Sequence, residues 1–450
     1  MSGPAGADPG TPASQVPGPE PAPAAGTPAA QSSLPISVRQ ARPDDTRAVL
    51  DFARTTWDGW DYIPSVWQTW LEAPDGVLLV ATPNVQHQLD RYGRLLSPDR
   101  PIAIARVAML SPDEAWLEGL RVDPGVRNRG VARLLHGACL VWARAQGARW
   151  VRYATGEENE GSHRLGAHHG FRLLRPWRSY QPPRQEVEDA DADDAGTDGA
   201  PDADDFADLA DEATGEVPLD VAERATGEEE TSEPEAVPGA ADEPEAPDVD
   251  GKPLTRAIAH RRLGRAGLLL DPRAPAETWT PWWQRVDADP SFALGDRLYE
   301  FRSWAFQELT ADRFAAHVRS GDVLVLERQA GRGRKRSRWA LAIVPLGEAI
   351  AADERPWASL LAGDGDTALA LAVATRTAIG RPLRIRVPDG APLVAGRDEA
   401  LLAAGFEPDT ETLHILAREV TPDAPIDLGP AGAVTFEESP RRVTEPPGRA

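Results

Sequence analysis

One stretch decides how this chain folds: Val122-Asp123-Pro124-Gly125-Val126-Arg127-Asn128-Arg129-Gly130-Val131-Ala132-Arg133-Leu134-Leu135. The residues before it, from Trp116 onward, are typical of a β-strand, and the apolar spacing after it predicts an α-helix. A glycine-containing turn that opens a helix directs several free backbone N–H groups at one spot, near the positive end of the helix dipole. The stretch therefore predicts an anion site, to which Arg127, Arg129 and Arg133 add positive charge.

A second block downstream narrows the interpretation of this turn. It runs Asn159-Glu160-Gly161-Ser162-His163-Arg164-Leu165-Gly166-Ala167-His168-His169-Gly170-Phe171. The turn, as Arg127-x-x-Gly130-x-Ala132, resembles the first sequence signature of the GNAT superfamily of N-acetyltransferases. The block resembles the second signature, with matches at Asn159, Leu165, Gly170 and Phe171. The resemblance implies an α/β (α+β) fold, the GNAT fold, in which a mixed central sheet is flanked by helices.

The same resemblance implies acetyl-CoA as the co-substrate and no metal ion. In the family the turn holds the pyrophosphate, and the pantetheine arm runs along the preceding strand. The predicted cofactor-binding residues are Leu120, Val122, Arg127, Asn128, Arg129, Gly130, Val131, Ala132, Asn159 and Ser162. We expect the last two to contact the pantetheine arm.

Acetyl transfer to an amine needs a group that removes a proton from the amine, directly or through one water. The family often places a glutamate on the central strand, which makes Glu118 the predicted catalytic base. The alternative interpretation is that Glu118 forms a structural ion pair with an arginine such as Arg121.

The group that reprotonates the leaving thiolate is less well defined. The tyrosine that often serves as this acid in the family is replaced here by Gly166. Candidate acids are Tyr153, His163, His168 and His169, of which Tyr153 and His168 are the predicted catalytic residues. Water can also serve, since a free thiol has a pKa of about 8.5 and its thiolate is a tolerable leaving group. For the two neighbouring histidines, the alternative is a solvent-facing helix end that favours a cation.

An aromatic-rich segment between residues 57 and 71 is the predicted wall of the acceptor pocket. The predicted acceptor-binding residues are Trp57, Asp58, Asp61 and Tyr62. Trp67 and Trp70 have the i, i+3 spacing of one helix face, so we expect them in the core. Together with Glu118-Gly119-Leu120-Arg121-Val122 and a degenerate second half, parts of this segment loosely resemble the histidine N-acetyltransferase-like branch of the family. That likeness implies a small amino acid or a related amine as the acceptor.

Composition divides the 450 residues into five parts. We predict a disordered Pro/Ala-rich tail (1–34), a catalytic domain (35–181), an acidic disordered linker (182–252), a C-terminal domain (253–420) and a loose tail (421–450). Between Glu186 and Asp250 there are 26 acidic residues and one arginine, so the formal charge of −23 resides almost entirely in the linker. One cysteine excludes a disulfide framework within the chain and a multi-cysteine metal site.

The second half echoes the first, with a strand, a helix, a strand and a Gly405-Phe406 pair in matching order. An acidic turn, Gly363-Asp364-Gly365-Asp366, stands where the basic turn would be, and its charge would repel pyrophosphate. We therefore predict a degenerate GNAT-like half that has lost cofactor binding. The basic run 332–338 is predicted to be a solvated loop rather than a nucleic-acid site.

These observations predict an acetyl-CoA-dependent N-acetyltransferase that acts by direct attack of a primary amine, with a small-molecule acceptor. Two alternatives stay open: a non-catalytic coenzyme A-binding regulatory module, and an acetyltransferase acting on a protein amine. With no signal-peptide pattern and no apolar run of about 18 residues, we expect a cytoplasmic protein without membrane or nucleic-acid partners. The sequence does not define the oligomeric state.

Overall fold

A computed structural model describes residues 34–54, 61–85, 87–182, 254–328, 337–347, 356–410 and 412–428, and the backbone of 432–434. The predictions made for the N-terminal tail, the acidic linker and nearly all of the basic run lie outside the described residues. Within the described part of the chain, no helix has both the length and the apolar character needed to cross a membrane.

Helices and strands are numbered along the chain. The first half contains β1 (Ile36–Gln40), α1 (Thr46–Ala53), α2 (Ile63–Glu72), β2 (Gly76–Pro83), β3 (Ala103–Ser111), β4 (Glu114–Val122), α3 (Val131–Gln146), β5 (Trp150–Gly156), α4 (Glu160–His168), β6 (Arg172–Leu173) and β7 (Trp177–Gln181). The turn at the centre of the sequence argument lies between β4 and α3, so the predicted strand–turn–helix order is confirmed.

The described part of the second half begins with three helices and continues with strands and helices in mixed order. It contains α5 (Arg256–Arg265), α6 (Ala276–Asp287), α7 (Pro290–Leu294), β8 (Leu298–Arg302), β9 (Ala305–Glu308), α8 (Ala311–Ser320), β10 (Val323–Arg328), β11 (Arg338–Ile343), β12 (Trp357–Gly363), α9 (Gly365–Ile379), β13 (Arg384–Pro388), α10 (Asp398–Ala403), β14 (Glu407–Pro408), β15 (Leu413–Glu419) and β16 (Gly432–Val434).

The described residues belong to two compact units that do not follow chain order. The first unit comprises what is described of Met1–Thr155, Asn159–Leu173 and Leu416–Ala450, and the second comprises Gly156–Glu158 and Leu174–Ile415. Strand β7, which follows the first half, therefore counts with the second unit, and most of β15 counts with the first. The domain boundaries drawn from composition stay a prediction.

The first unit is built on a mixed sheet with strand order β16, β1, β2, β3, β4, β5, β15 and β6. Strands β1 to β4 are antiparallel to one another, whereas β5 is parallel to β4 and β16 is parallel to β1. Helix α3 buries Leu134, Leu135 and Cys139 against one face of this sheet, and α1 and α2 bury Phe52 and Trp67 against the other. The predicted mixed sheet flanked by helices is confirmed, and Trp67 is a core residue as expected.

In the second unit, β10, β11, β12, β13 and β7 are sheet neighbours in that order. Strands β10 and β11 pair antiparallel, with Val323 opposite Ile343. Strand β12 leads through Gly363-Asp364 into α9, whose N-terminus is capped by the Asp364 carboxylate accepting from the Thr367 N–H at 3.1 Å. The Arg397 guanidinium fills the space that a side chain on Gly365 would need.

Two buried histidines, His136 of α3 and His169 at the C-terminal end of α4, contact each other in the first unit. Burial lowers the pKa of His136 well below its ordinary value, and the rings of His136 and His169 are 4.7 Å apart. Burial is also the largest cause that lowers the pKa of His169 to about 4, and the neighbouring His168 acts in the same direction. His169 Nε2 lies 3.0 Å from the Arg133 carbonyl oxygen, and this hydrogen bond opposes the lowering of the pKa.

The first unit should lose stability as the pH falls from about 6.5 to about 4. An unfolded histidine has a pKa of about 6.5, so in this range the unfolded chain binds a proton that folded His169 does not, and protonation favours unfolding. In His169→Gln, the glutamine amide can still donate to the Arg133 carbonyl. The urea midpoint of this variant should fall less between pH 7 and pH 4.5 than that of the wild-type protein. The exposed control His87→Asn should retain the wild-type slope; equal slopes in all three proteins would contradict this account.

Candidate functional site

The candidate site begins where β4 and β5 separate. The two parallel strands pair only at their first residues, Glu114 with Trp150, Ala115 with Val151 and Trp116 with Arg152. Although β4 continues for six more residues, the described register holds no further pair between them. The edge of Leu117–Val122 that faces away from β3 therefore has no strand partner in the described chain, and an extended ligand can bind there as an added strand does.

A β-bulge interrupts β4 beside this opening. Arg106 of β3 lies opposite Glu118, but Ile104 lies opposite Arg121, so β4 holds one extra residue between these pairs. Gly119 supplies it, with a left-handed φ of 68° and no room for a side chain because the Trp70 ring packs against it. As a result, Leu117 and Leu120, three residues apart, both pack on the α3 side of the sheet.

The turn after β4 ends in an open helix N-terminus. Asp123 accepts a hydrogen bond from the Gly125 N–H at 2.8 Å and so caps a short 3₁₀ helix, Pro124–Val126. Asn128 and Gly130 both have left-handed φ angles, 65° and 83°. In the part of the chain that the structure describes, no side chain caps α3, and the space where a Gly130 side chain would lie is empty. The first-turn N–H groups of α3 therefore have no side-chain cap among the described residues, and the predicted anion site stays a prediction.

The other predicted cofactor residues surround this turn and the start of α4. Arg127 is exposed, and its Nε lies 3.4 Å from the Val122 carbonyl oxygen. Asn159 caps α4, since its side-chain oxygen accepts from the Ser162 N–H at 3.1 Å. Each of these residues belongs to the first unit.

The space that a side chain at Gly166 would need is taken by the predicted catalytic residue Tyr153. The Tyr153 hydroxyl, on β5, would clash with a Cβ at Gly166 and donates to the Ser162 carbonyl at 2.9 Å. The Tyr153 ring is buried against Phe171, at 5.1 Å between ring centroids, and burial raises the pKa of its hydroxyl to about 12. The glycine that departs from the family pattern is therefore explained by packing.

The predicted base, Glu118, lies on the opposite face of the sheet from α3. Its carboxylate forms an ion pair with Arg106 of β3, and the same guanidinium also binds Asp75. Arg106 is 2% exposed, whereas the Glu118 side chain is 17% exposed. The alternative partner, Arg121, binds Asp61 instead. A buried arginine between two carboxylates holds Glu118 in one orientation, and part of the Glu118 side chain stays exposed.

Two of the predicted acceptor residues, Asp61 and Tyr62, lie beside Glu118. The Asp61 carboxylate is completely buried, binding Arg121 at 2.6 Å and accepting from the Ile63 N–H at 3.0 Å. Burial is the largest cause that raises the pKa of Tyr62, and Glu118 also raises it, against the lowering effect of Arg121. Tyr62 is nevertheless 46% exposed overall, and its hydroxyl, with a pKa above the ordinary value of 10, can donate a hydrogen bond at neutral pH. Trp57 and Asp58 lie outside the described residues.

An aromatic and cationic layer connects these groups. The Tyr62 and Trp70 rings meet edge-on with centroids 5.9 Å apart. The Arg121 guanidinium lies 5.2 Å from the centroid of Tyr62, and that of Arg106 lies 5.4 Å from the centroid of Trp70. Trp70, expected in the core, is only partly buried and forms the floor of this cluster.

His168, the third predicted catalytic residue, lies at the exposed end of α4. Its Nε2 is 3.2 Å from the Asp427 carboxylate, which also binds Arg133 of the first turn of α3. The structure thus brings Glu118 and Tyr62 together. It places His168 beside the first turn of α3, where the anion site is predicted.

Sequence reasoning missed Arg106 and the bulge. A single arginine inside the apolar run from Ile102 to Leu110 was a usable signal, because a fully buried arginine needs a carboxylate partner. Gly119 within a strand pattern was a signal for a bulge. Among the described residues, no group of three or more His, Cys, Asp or Glu side chains could hold a metal ion.

Comparison with known proteins gives one family match. Residues 51–171 match the model of the acetyltransferase (GNAT) family. No curated protein sequence matches the chain.

Among solved structures, the chain is similar to a putative acetyltransferase from Thermoplasma acidophilum, at 11% identity and a TM-score of 0.39, over 85% of this chain and 99% of that one. It is also similar to a GCN5-related N-acetyltransferase from Sphaerobacter thermophilus, at 15% identity and a TM-score of 0.37, over 87% and 98%. The ribosomal-protein-S18-alanine N-acetyltransferase from Escherichia coli matches 33% of this chain and 85% of its own, at 16% identity and a TM-score of 0.27.

An alanine at Gly119 should cost more stability than an alanine at another glycine with a left-handed φ. Gly119→Ala adds a methyl group against the Trp70 ring in addition to the strain of a left-handed φ, which by itself costs about 1–3 kcal/mol. Gly93→Ala is the matched control, because its φ is also left-handed, at 78°, but nothing lies near the added methyl group. In urea unfolding, Gly119→Ala should lose more stability than Gly93→Ala, and Trp70→Leu should reduce the difference; equal losses in both glycine variants would contradict the packing.

Proposed function

Residues 51–171 form a domain of the GNAT acetyltransferase family, and from this we propose that the protein transfers the acetyl group of acetyl-CoA to the primary amine of an acceptor. The observation that carries the proposal is the opening between β4 and β5, which ends at an uncapped helix N-terminus. One side of the opening offers main-chain groups to an extended arm, and its end offers N–H groups to a diphosphate.

In this proposal, coenzyme A binds along the opening. The pyrophosphate accepts hydrogen bonds from the N–H groups of Arg129 to Ala132, and Arg127 and Asn128 flank it. The pantetheine arm pairs with the main chain at Leu120 and Val122. Asn159 and Ser162, at the start of α4, border the same arm. The empty space at Gly130 supports this placement, because a side chain there would stand in front of the helix N-terminus.

The acetyl group then lies near the bulge. The amine nitrogen attacks the thioester carbonyl carbon, the C–S bond breaks, and the sulfur leaves as a thiolate. A bulge turns a main-chain N–H out of the strand ladder, where it can stabilise the oxyanion that forms during attack. Glu118 accepts the proton that the amine loses, through one water, and Arg106 holds its carboxylate in place.

The proton for the thiolate has two sources among the predicted residues and one in solvent. The Tyr153 hydroxyl is already donating to the Ser162 carbonyl, and its pKa of about 12 makes it a weak acid at neutral pH. His168 is exposed and paired with Asp427. We favour water, because a thiolate whose parent thiol has a pKa of about 8.5 needs little help to leave, and catalytic roles for Tyr153 and His168 stay predictions.

The acceptor site is proposed to lie around Tyr62, Trp70 and Glu118. An aromatic surface and a partly exposed carboxylate suit a cationic amine. Asp61 acts indirectly in this site by holding Arg121, because its own carboxylate is completely buried. We propose a small amino acid or a related amine as the acceptor, with Trp57 and Asp58 completing the wall, and a cytoplasmic location.

We further propose that the second half is GNAT-like in fold but does not bind coenzyme A. Its strand–turn–helix, β12 to α9, resembles β4 to α3 in order, and β12 and β13 also pair over three residues only. However, the N-terminus of α9 is capped by Asp364, and Arg397 fills the space beside Gly365. An anion therefore meets a closed and acidic helix end.

Calorimetric titration with acetyl-CoA followed by thiol-release assays over a panel of amines tests this function. We expect binding, thiol release with at least one small amine, and a Glu118→Gln variant whose rate falls at least about 100-fold and loses its dependence on an ionising base. Glu160→Gln, at an exposed glutamate paired only at the surface with Arg164, is the control and should behave as wild type.

The other outcomes separate the alternatives. Absence of acetyl-CoA binding would overturn the proposal altogether. Binding without turnover on any amine, peptides included, would identify a regulatory module, and turnover restricted to peptides would identify a protein acceptor. An unchanged pH–rate profile in Glu118→Gln would reject Glu118 as the base.

A further inference from the structure

A small hairpin on the connection between β2 and β3 is fastened to the turn that precedes the anion site. We call residues 88–96 the 88–96 hairpin. It is closed by a bridge between Leu89 and Leu95 and by the Leu96 N–H donating to the Gln88 carbonyl at 2.8 Å. The hairpin belongs to the first unit, and neither of the two sequence signatures covers it.

The connection consists of one arginine between two acidic side chains. Arg94 Nε lies 2.6 Å from Asp90 of the hairpin, and Arg94 Nη2 lies 2.6 Å from Asp123 at the end of β4. The same Asp123 oxygen accepts from the Gly125 N–H at 2.8 Å. The Arg91 N–H adds a main-chain bond to the Gly125 carbonyl at 3.1 Å. These contacts run without a break from the hairpin to the turn.

The two carboxylates are buried and depend on the arginine. The Asp90 and Asp123 side chains are 2% and 7% exposed, whereas Arg94 is half-exposed. Burial alone would raise the pKa of Asp90, but hydrogen bonds from the Arg94 N–H, its guanidinium and the Tyr92 N–H outweigh burial and lower it. Removing the guanidinium would leave two buried like charges without a cation.

The fit at Gly125 shows how closely this cluster is packed on the turn. A side chain at Gly125 would clash with the Asp90 carboxylate and would come within 2.6 Å of Arg94 Nη2. Immediately after this turn the chain adopts the two left-handed conformations at Asn128 and Gly130 that shape the anion site. Such conformations persist where the surrounding structure over-determines them, and the cluster supplies that constraint from the N-terminal side.

We propose that Arg94 is a positioning residue for coenzyme A. By bridging Asp90 and Asp123, it holds the turn Asp123–Val126 in the shape that lets the following loop receive the pyrophosphate. It also neutralises two carboxylates next to a site for a polyanion, whose uncompensated charge would repel the ligand. This inference rests on the proposed binding of acetyl-CoA, and it adds a residue that lies outside both signatures.

Steady-state kinetics of Arg94→Met in the full-length protein tests the proposal. We expect the KM for acetyl-CoA to rise about tenfold or more, in line with the loss of charge-assisted hydrogen bonds, while kcat at saturating acetyl-CoA and the KM for the amine change less than about twofold. The Kd for coenzyme A by calorimetry should rise by the same factor. Arg100→Met is the control, since Arg100 is on the same connection but pairs only at the surface, with Asp51 at 3.4 Å.

Two further variants separate positioning from general damage. Arg94→Lys should weaken binding less than Arg94→Met does, because one ammonium replaces the charge but not the fork that reaches both acids. Asp90→Asn combined with Arg94→Met should recover part of the affinity, because one unpaired charge is removed. If Arg94→Met does not fold, Arg94→Lys alone decides, with a raised KM for acetyl-CoA expected.

An unchanged KM and Kd for coenzyme A in the folded Arg94 variants would overturn the proposal, as would a fall in kcat alone. Failure of the wild-type protein to bind acetyl-CoA would instead overturn the proposed function. The two failures are therefore distinguishable in the same titrations.

Discussion

The separation of β4 from β5 after three paired residues is the constraint on which the candidate site depends. Parallel strands normally satisfy each other's main-chain groups along their whole length, and groups left unpaired need another partner. In the first unit β5 finds a second neighbour in β15, whose end is fastened by the Val420 N–H donating to the Arg149 carbonyl at 2.7 Å. The facing edge of β4 has no such neighbour in the described chain, and it is that edge which a ligand can complete.

The side chains on the two faces of β4 lie in different environments. Toward α3, Leu117 and Leu120 pack in the core, and the strand leads into the open helix end. Away from α3, Glu118 and Arg121 enter a cluster of ion pairs and aromatic rings with Arg106, Asp61 and Tyr62. The bulge at Gly119 lets one strand serve both faces, because it shifts the alternation by one residue between Leu117 and Leu120. In the proposed function, coenzyme A binding and proton transfer therefore use opposite faces of a single strand.

The sequence predicted the parts of the fold that are local in the chain. The strand Glu114–Val122, the turn and α3 follow one another without a gap, and short-range patterns define each of them. The partner of Glu118 could not be predicted in the same way, because it depends on the register of β3 against β4. That register places Arg106 opposite Glu118, whereas the nearer arginine in sequence, Arg121, binds Asp61.

Two other features are non-local as well. A local sequence pattern does not say which strands β7 and β15 pair with, and each of the two counts mainly with the unit that holds the other half of the chain. Gly166 read in the sequence as the loss of a functional side chain, but Tyr153, 13 residues earlier, fills its space. A side chain of a strand that fills the space beside a glycine of a helix can be recognised only from the packed structure.

Hydrogen–deuterium exchange with and without saturating coenzyme A tests the central claim most directly, because it reports on the main-chain groups to which binding is attributed. The account predicts slower exchange in peptides that cover Leu120–Val122 and Gly130–Arg133, and unchanged exchange at the capped start of α9, Gly365–Thr367. Protection at α9, or binding of coenzyme A that leaves the β4 edge and the first turn of α3 unprotected, would contradict it.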